Sequence, residues 1–439
     1  MCRSENIRKT CIVEGKNMSH ISEVLVVGAG PAGSSVAYYL SCLGVRVHVI
    51  EKAKFPRDKI CGDGLTPRAV TELVRMGIDI SDHKQWPRNY GIRAYGAGHT
   101  IEVPWPELSS MPNYGLAKRR KELDHLLIQR AVSAGATLDE ETVVTAPILH
   151  ERTGCVIGVK ARKKTTKEEV SYYARLIVDA GGVAARLATS LGRVQNQSRP
   201  MGVAHRTYIK SPLAATDMME SQLELWEGKA GQSAIAPGYG WAWPVSDSVV
   251  NVGLGSLSSH GAPKGMDYRS MFATWMENAP KEWEFTEENQ LEPLRGAALP
   301  MGFNRKPLYE RGLLLVGDAG GMVSPFNGEG IAYALQSGRV AADIIAQALS
   351  RTSTVAFQKT LEEYPKFMKN ELGGYYTMGR IFAYLIEKPV VMQACVKYGL
   401  PRPMLMRLVM KLLSDAYDKN GGDWMDRLIA TLAKVVPGA

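Results

Sequence analysis

The thirty residues from Glu23 to Lys52, EVLVVGAGPAGSSVAYYLSCLGVRVHVIEK, constrain this chain more than any other stretch. They read as strand, turn, helix and second strand. Val24 to Val27 form a short buried strand. Gly28, Gly30 and Gly33 then spell G-x-G-x-x-G at the turn into a helix. In that pattern the first glycine permits the tight turn, the second lets a pyrophosphate approach the backbone, and the third lets helix pack on strand. The helix start offers free N–H groups and a positive dipole end to phosphate. The helix runs to about Leu43, Gly44 ends it, and VRVHVI is the second strand. That strand closes on Glu51, placed to accept both hydroxyls of an adenosine ribose. A glycine-rich turn in an ordinary α/β unit would not require the acid. A dinucleotide site follows. Glu51 disfavours a 2′-phosphate, which argues against NADP, and FAD and NAD both remain.

The 439 residues suffice for two or three domains with sizeable cores. Hydrophobic residues at 45% and charged residues at 22% are ordinary for a globular protein. No apolar run reaches the roughly eighteen residues of a membrane-spanning helix. The formal net charge of +9 favours anionic partners, a diphosphate or an anionic bilayer surface, and no nucleic-acid motif accompanies it. Basic local groups include Lys52, Lys54, Arg57 and Lys59, and the run from Lys118 to Lys121. The six cysteines form no C-x-x-C pair and no zinc spacing with His, so no metal site is expected and a reducing cytoplasm is the default. The first nineteen residues are polar and read as a disordered tail, with Met18 a second candidate start.

Phe55 to Gly64 is a loop whose CGDG sets Cys61 and Asp63 among glycines; alone, Cys61 reads as a small buried hydrophobe. Thr66 caps a helix, with Pro67 in its first turn, to about Met76. Residues 90–106 read as a hairpin. Arg120 to Ala134 read as a helix with Leu123, Leu126, Leu127, Arg130 and Ala131 on one face. Strands follow at Val156–Ala161 and Val170–Val178, the second running into Asp179, small residues and a helix with Arg186, a turn beside a ligand. Between about 200 and 290 the alternating texture predicts an antiparallel sheet. In APGYGWAWPV, Tyr239, Trp241 and Trp243 alternate onto one face, which either fills a core or walls a pocket. LLLVGD is a buried strand ending in Gly317 and Asp318, and a helix starts near Gly328 to Gly330 and runs to about Ala348. Two helix starts and two strand-end acids suit an extended cofactor with pyrophosphate, sugar chain and ring. From about 353 the chain reads helical. In Met404 to Asp418, Arg407, Lys411, Ser414 and Asp415 make a narrow polar stripe on a helix that either packs on the body or lies on a membrane interface.

GAGPAG with Glu51, VDAGG, and VGDAGGMVSPFNGEGI resemble the three FAD motifs of the p-hydroxybenzoate-hydroxylase-like flavoproteins. Within them the chain resembles the geranylgeranyl reductase family. CGDGL is similar to its C-G-x-G loop, RKELDHLLIQRAVSAGA to its R-x-x-L/F-D helix, and PGYGWAWP to its P-x-x-Y-x-W-x-F-P pocket motif. Pro237 stands one residue nearer Tyr239 than in that motif, Trp243 replaces Phe, and DAGG loosens the DG motif.

The resemblance implies FAD. Gly28, Gly30 and Gly33 would hold its pyrophosphate, with Arg120 near it, Glu51 the adenosine ribose, and Asp318 the ribitol chain. The backbone from Gly328 through Gly330 to Ile331 would face the flavin pyrimidine edge, and Ala32, Lys52, Asp179 and Gly317 complete the cofactor set. The implied activity is saturation of isoprenoid double bonds by a hydride equivalent from reduced flavin, on geranylgeranyl diphosphate, a prenyl lipid or the menaquinone side chain. Tyr239, Trp241, Trp243 and Pro244 would line the pocket, with Cys61, Tyr239 and Trp241 at the reacting centre. The reductant would be NAD(P)H or a ferredoxin-like carrier. A flavin monooxygenase on the same fold and a non-redox prenyl-binding escort are the alternatives. A halogenase is disfavoured because Pro244 breaks the W-x-W-x-I-P pattern. The location implied is cytoplasmic, with peripheral contact to the inner face of an anionic membrane.

The expected fold class is α/β, α+β overall: a Rossmann-like FAD-binding domain, an antiparallel-sheet substrate domain and a C-terminal helical region. The boundaries read as a tail at 1–19, the FAD domain at 20–90, 112–198 and 288–352, the substrate domain at 91–111 and 199–287, and helices at 353–439.

Overall fold

The computed structural model describes residues 21–260 and 265–439. The expected tail and Met18 lie outside them. Strand β1 (Ile21–Val27) is followed by α1 (Pro31–Cys42) and β2 (Val47–Ile50), the unit the glycine pattern predicts. Gly28 has φ +102°, and a Cβ there would stand 2.5 Å from the Ala180 carbonyl oxygen. A Cβ on Gly33 would stand 1.9 Å from the Gly28 carbonyl oxygen. Strand and helix approach this closely only because both positions lack a side chain.

Helix α2 (Pro67–Arg75) begins at Thr66, whose hydroxyl accepts from Ala69 N, as predicted. The hairpin β3 (Gly91–Gly96) and β4 (His99–Pro104) is present. Helix α3 (Arg120–Ser133) buries Leu123, Leu127 and Ala131. Among the strands that escaped the sequence reading are β5 (Thr137–Asp139), which is three residues long, and β6 (Thr142–Leu149), which carries Pro147 and little alternation. Then come β7 (Val156–Lys163) and β8 (Glu169–Asp179).

The antiparallel part comprises β9 (Met201–Lys210), β10 (Met219–Gln222), β11 (Tyr239–Ser246), β12 (Val249–Ser258) and β13 (Arg295–Pro300), with α4 (Tyr268–Asn278) across its outer face. Strands β14 (Tyr309–Glu310) and β15 (Leu313–Leu315) return to the first sheet. That sheet runs β14-β15-β8-β1-β2-β5, parallel from β15 to β5, with β7 and β6 added antiparallel beyond β8. It is the Rossmann-like part. Val24, Leu25 and Val26 pair with β8 and are wholly buried, as are Leu176 to Val178 and Leu313 to Leu315. The second sheet runs β13-β9-β12-β11-β10-β3-β4. The mixed α/β class stands, and the sequence had grouped β13 with the nucleotide-binding stretches rather than with this sheet. Register separates its faces. Ala242, Val252 and Leu254 pack under Phe272 and Trp275 of α4. Trp241 and Trp243 point the other way.

Helix α5 (Ile331–Leu349) packs on α1, and α6 (Thr354–Leu361), α7 (Glu363–Ile386), α8 (Pro389–Ala394), a π-turn (Cys395–Gly399), α9 (Pro403–Leu413) and α10 (Trp424–Val435) complete the chain. No helix among the described residues is long and apolar enough to cross a membrane. Helix α9 is shorter than the Met404–Asp418 of the sequence reading, and it packs on the body, one of the two readings left open. Helix α9 stops at Leu413, and most of its stripe is turned inward: Lys411, Ser414 and Asp415 are buried and only Arg407 is exposed. The ion pairs explain it. Lys411 reaches Asp423 at 2.8 Å and Asp426 at 2.7 Å, and Asp415 reaches Arg68 of α2 at 2.7 Å. Hydropathy alone does not say which stripe meets the body.

Replacing Lys411 by Met leaves the Asp426 carboxylate, 2% exposed, without its cation. The expected cost is about 3 kcal/mol in a denaturant titration of the FAD-loaded protein, with α9 and α10 losing hydrogen-exchange protection first.

Candidate cofactor and substrate site

The nucleotide end is built at the tips of β1 and β2. Helix α1 starts at Gly30 with no side-chain cap, so its first N–H groups stay available. Glu51 is 4% exposed, its Oε2 accepting from Ala29 N at 2.9 Å and its Oε1 from Ala53 N at 3.1 Å. These bonds fix the carboxylate and leave lone pairs for two hydroxyls. Arg57, which the sequence reading noted only as local charge, reaches Glu51 at 3.6 Å and Asp124 at 2.8 Å. Its Nη2 lies 3.9 Å from where a Cβ on Gly30 would be, a cation beside the bare backbone. Arg120 is buried and holds Asp124 through Nε at 2.7 Å and Nη2 at 2.8 Å. Lys52 is exposed on the surface next to Glu51.

The second end is built at the tip of β15. Gly317 and Asp318 lie in a 3₁₀ turn, and Lys59 reaches Asp318 at 3.1 Å. Gly330 heads α5, which again starts without a side-chain cap, with Ile331 its first residue. Asp179, read as a ligand-side acid, is fully buried and spends its carboxylate on its own turn, accepting from Gly181 N and Ala188 N, each at 2.9 Å. Two uncapped helix starts, the fixed Glu51 carboxylate, and cations at Arg57 and Lys59 fit the ribose, the two phosphates and the sugar chain of FAD.

Between the two ends lies the Cys61 loop. Asp63 is wholly buried at φ +63°. It accepts from Arg120 N at 3.2 Å, Tyr208 Oη at 2.5 Å and Asn251 Nδ2 at 2.9 Å. Burial pushes its pKa up to about 6 against the pull of these donors. Asn251 also donates to the Cys61 carbonyl at 3.0 Å and accepts from Trp241 Nε1 at 2.9 Å. The aromatic side chains share one face, with centroids 5.9 Å apart for Tyr239–Trp241 and 5.5 Å for Trp241–Trp243. A Cβ on Gly62 would stand 2.5 Å from the Trp243 ring, so the glycines of CGDG are what admit that indole. Pro244, next along the strand, is buried and faces away.

Tyr239 donates to the Asn327 carbonyl at 3.2 Å, joining the aromatic wall to the loop before α5. Burial first, and the neighbouring Cys61 second, push its pKa up to about 12, so it stays a donor. Burial alone would lower the Arg120 pKa; Asp124 and then the Cys61 thiol more than reverse this, holding the guanidinium charged beside the thiol. Thus Cys61, Tyr239, Trp241 and the start of α5 converge. Glu329, missed by the sequence reading, accepts from Thr66 Oγ1 at 2.6 Å and keeps its Oε2 buried without a hydrogen-bond partner among the described residues. Burial pushes it up to about 7.

The FAD binding domain family matches residues 22–365. A menaquinone reductase of Mycobacterium tuberculosis is 32% identical over 410 residues, 93% of this chain and 94% of that protein. The chain belongs to the geranylgeranyl reductase family. A digeranylgeranylglycerophospholipid reductase of Methanosarcina acetivorans is 28% identical over 361 residues, 81% of this chain and 82% of that one. A geranylgeranyl bacteriochlorophyll reductase-like structure from Thermoplasma acidophilum superposes with a TM-score of 0.74 at 21% identity, over 94% of this chain and 99% of that one, and shows the same fold. As a member of this family the chain is an FAD-dependent reductase.

Two measurements probe the site. Asp318→Ala strands Lys59 and should lower FAD occupancy of the purified protein several-fold, read from the ratio of visible to ultraviolet absorbance. Folding raises the Glu329 pKa from an ordinary 4.5 to about 7, so its acid form contributes stability that is complete below 4.5 and lost as pH rises through 7. Wild-type stability should therefore fall by about 1 kcal/mol from this group between pH 6 and 8. Glu329→Gln, neutral throughout, should flatten that slope in denaturant titrations.

Proposed function

We propose that this reductase saturates carbon–carbon double bonds in the isoprenoid side chain of a membrane-resident prenyl quinone of the menaquinone type. Geranylgeranyl diphosphate and prenylated glycerolipids are the other chains of this class. The observation that carries the reading is the ladder Tyr239–Trp241–Trp243 set against the Cys61 loop, an apolar wall beside the cofactor-holding turns. Bound FAD, once reduced, supplies the hydride equivalent. An isolated alkene accepts hydride poorly, so the protein must place it, keep the slot dry and bring a proton. The indoles of Trp241 and Trp243 hold the chain. In this reading the Cys61 thiol, an electrostatic neighbour of Arg120 and Tyr239, delivers a proton to the second alkene carbon and regains one from water. One hydride and one proton add across each bond.

The electrons come from NAD(P)H bound transiently or from a ferredoxin-like carrier, since no second G-x-G-x-x-G follows a strand in the sequence. A quinone-chain substrate places the protein on the inner face of the cell membrane. The test is anaerobic. The purified protein is reduced with dithionite, given menaquinone or geranylgeranyl diphosphate in detergent, and followed by flavin absorbance and mass spectrometry of the lipid. Reoxidation with a product heavier by two hydrogens per bond is the expected result. Reoxidation only on admitting oxygen, with an oxygenated product, would assign a monooxygenase. A colourless protein that binds prenyl lipid would assign an escort.

A further inference from the structure

The segment from α8 to α9 has two apolar sides, and only one of them is accounted for by the fold. Inward, Val396 and Leu400 pack on Ala94, while Met410 packs with Val103, Trp105 and Met219 in a cluster whose edge is Trp243. Ala94, Ser221 and Trp241 form one cross-strand row, so this roof lies over the same sheet face as the aromatic wall.

Outward, the same segment exposes Val390 (77%), Met404 (67%), Tyr398 (58%) and Leu405 (41%). Ile381, Tyr384 and Leu385 at the end of α7 are exposed too. Such a concentration marks an interaction surface. Its charge is one-sided. From Lys388 to Ser414 the sequence contains no Asp or Glu, and Lys388, Lys397, Arg402 and Arg407 are all exposed. Glu387, just before, is taken up by Ser258 and Ser259. The Lys388 ammonium lies 4.2 Å over the Tyr384 ring and that of Lys397 lies 5.3 Å over Tyr398. Apolar side chains ringed by cations and aromatic rings suit the headgroup layer of an anionic bilayer. A second copy fits poorly, because a two-fold contact through this patch would set cations against cations.

We propose that the outer face of α8, the π-turn and α9 docks on an anionic lipid bilayer, and that the isoprenoid chain passes from the bilayer beneath this roof to Trp243. The docking deepens the functional reading above and rests on it for the identity of the passing chain. Helix α9 then serves as a partition: Met410 faces the slot and Met404 faces lipid.

The test uses the full-length, FAD-loaded protein and sedimentation with vesicles of phosphatidylcholine, with or without roughly one-third phosphatidylglycerol. Wild type should bind the anionic vesicles, bind the neutral ones weakly, and release as salt rises. The charge variant Lys397→Glu/Arg402→Glu/Arg407→Glu should lose about ten-fold or more in binding. The apolar variant Val390→Asp/Leu405→Asp should lose a similar factor. Both should keep wild-type FAD content and wild-type turnover of lipid dispersed in detergent. Wild type failing to bind anionic vesicles, or both variants binding like wild type, would overturn the docking. So would a wild-type dimer in sedimentation velocity that the same substitutions dissociate. Vesicle binding that behaves as expected while wild type reduces no prenyl lipid in detergent would uphold the surface and overturn the functional reading instead.

Discussion

The buried carboxylate of Asp63 is the joint on which the two sheets meet. Its three donors come from three places: the start of α3, β9 and β12. Through Asn251 the same cluster reaches Trp241 and the Cys61 carbonyl. A carboxylate with no access to water needs all its donors, because leaving it short strands a buried charge. The loop is held a second time by Asp58, which pairs at 2.7 Å with Arg206, itself wholly buried between Asp58, Glu292 and the Tyr208 ring. The two sheets are therefore registered to one another at the Cys61 loop itself, beside Trp241, rather than at a remote hinge. The left-handed backbone at Asp63 belongs to this arrangement. A short polar side chain tolerates that conformation, and here it turns to donors 57, 145 and 188 positions away.

What the sequence could carry was short-range. The unit from Ile21 to Ile50, the Thr66 cap and the face of α3 follow from glycine sterics, capping chemistry and helical period, all within a few residues of each other. The alternation in Tyr239–Trp243 likewise placed the aromatic side chains on one face. The partners of those groups were not legible. Tyr208 and Asn251 are ordinary strand residues in sequence, and only the antiparallel register brings them onto Asp63, 145 and 188 positions away. Intermediate signals existed for others. Asp124 stands four residues after Arg120, the spacing of a helical ion pair, and Glu329 is an acid set between two glycines. Asp179 marks another limit: a strand-end acid does not reveal in sequence that its carboxylate accepts from its own turn, at Gly181 N and Ala188 N.

The C-terminal helices fail the simple inside–outside rule for a physical reason. Their polar groups are consumed in tying them to the body. Arg68 of α2 holds Asp415, Asp418 accepts from Ser109 and Ser110, and Tyr375 donates to the carbonyls that end α9. These bonds have direction, whereas hydrophobic contact has none, and together they fix which side of α9 turns inward. With the polar stripe turned inward, apolar side chains must take the outer side, and the helix cannot be satisfied by water alone.

The net charge of +9 is then partitioned rather than diffuse. Arg57 and Arg120 stand at the nucleotide end and Lys59 at the second end beside Asp318, where a cofactor with two phosphates fits, and each already holds a carboxylate within reach. Arg68, Arg206 and Lys411 are buried and paired, so they contribute cohesion and little field. The cations of residues 388–407 have neither an acidic partner in their own segment nor a cofactor to meet. Coulomb attraction between such groups and an anionic surface acts over about a Debye length, roughly 8 to 10 Å at ordinary ionic strength. On the docking proposed above, that range would orient an approaching molecule before any apolar side chain touched lipid, and the orientation selected would set the segment over the aromatic wall against the bilayer.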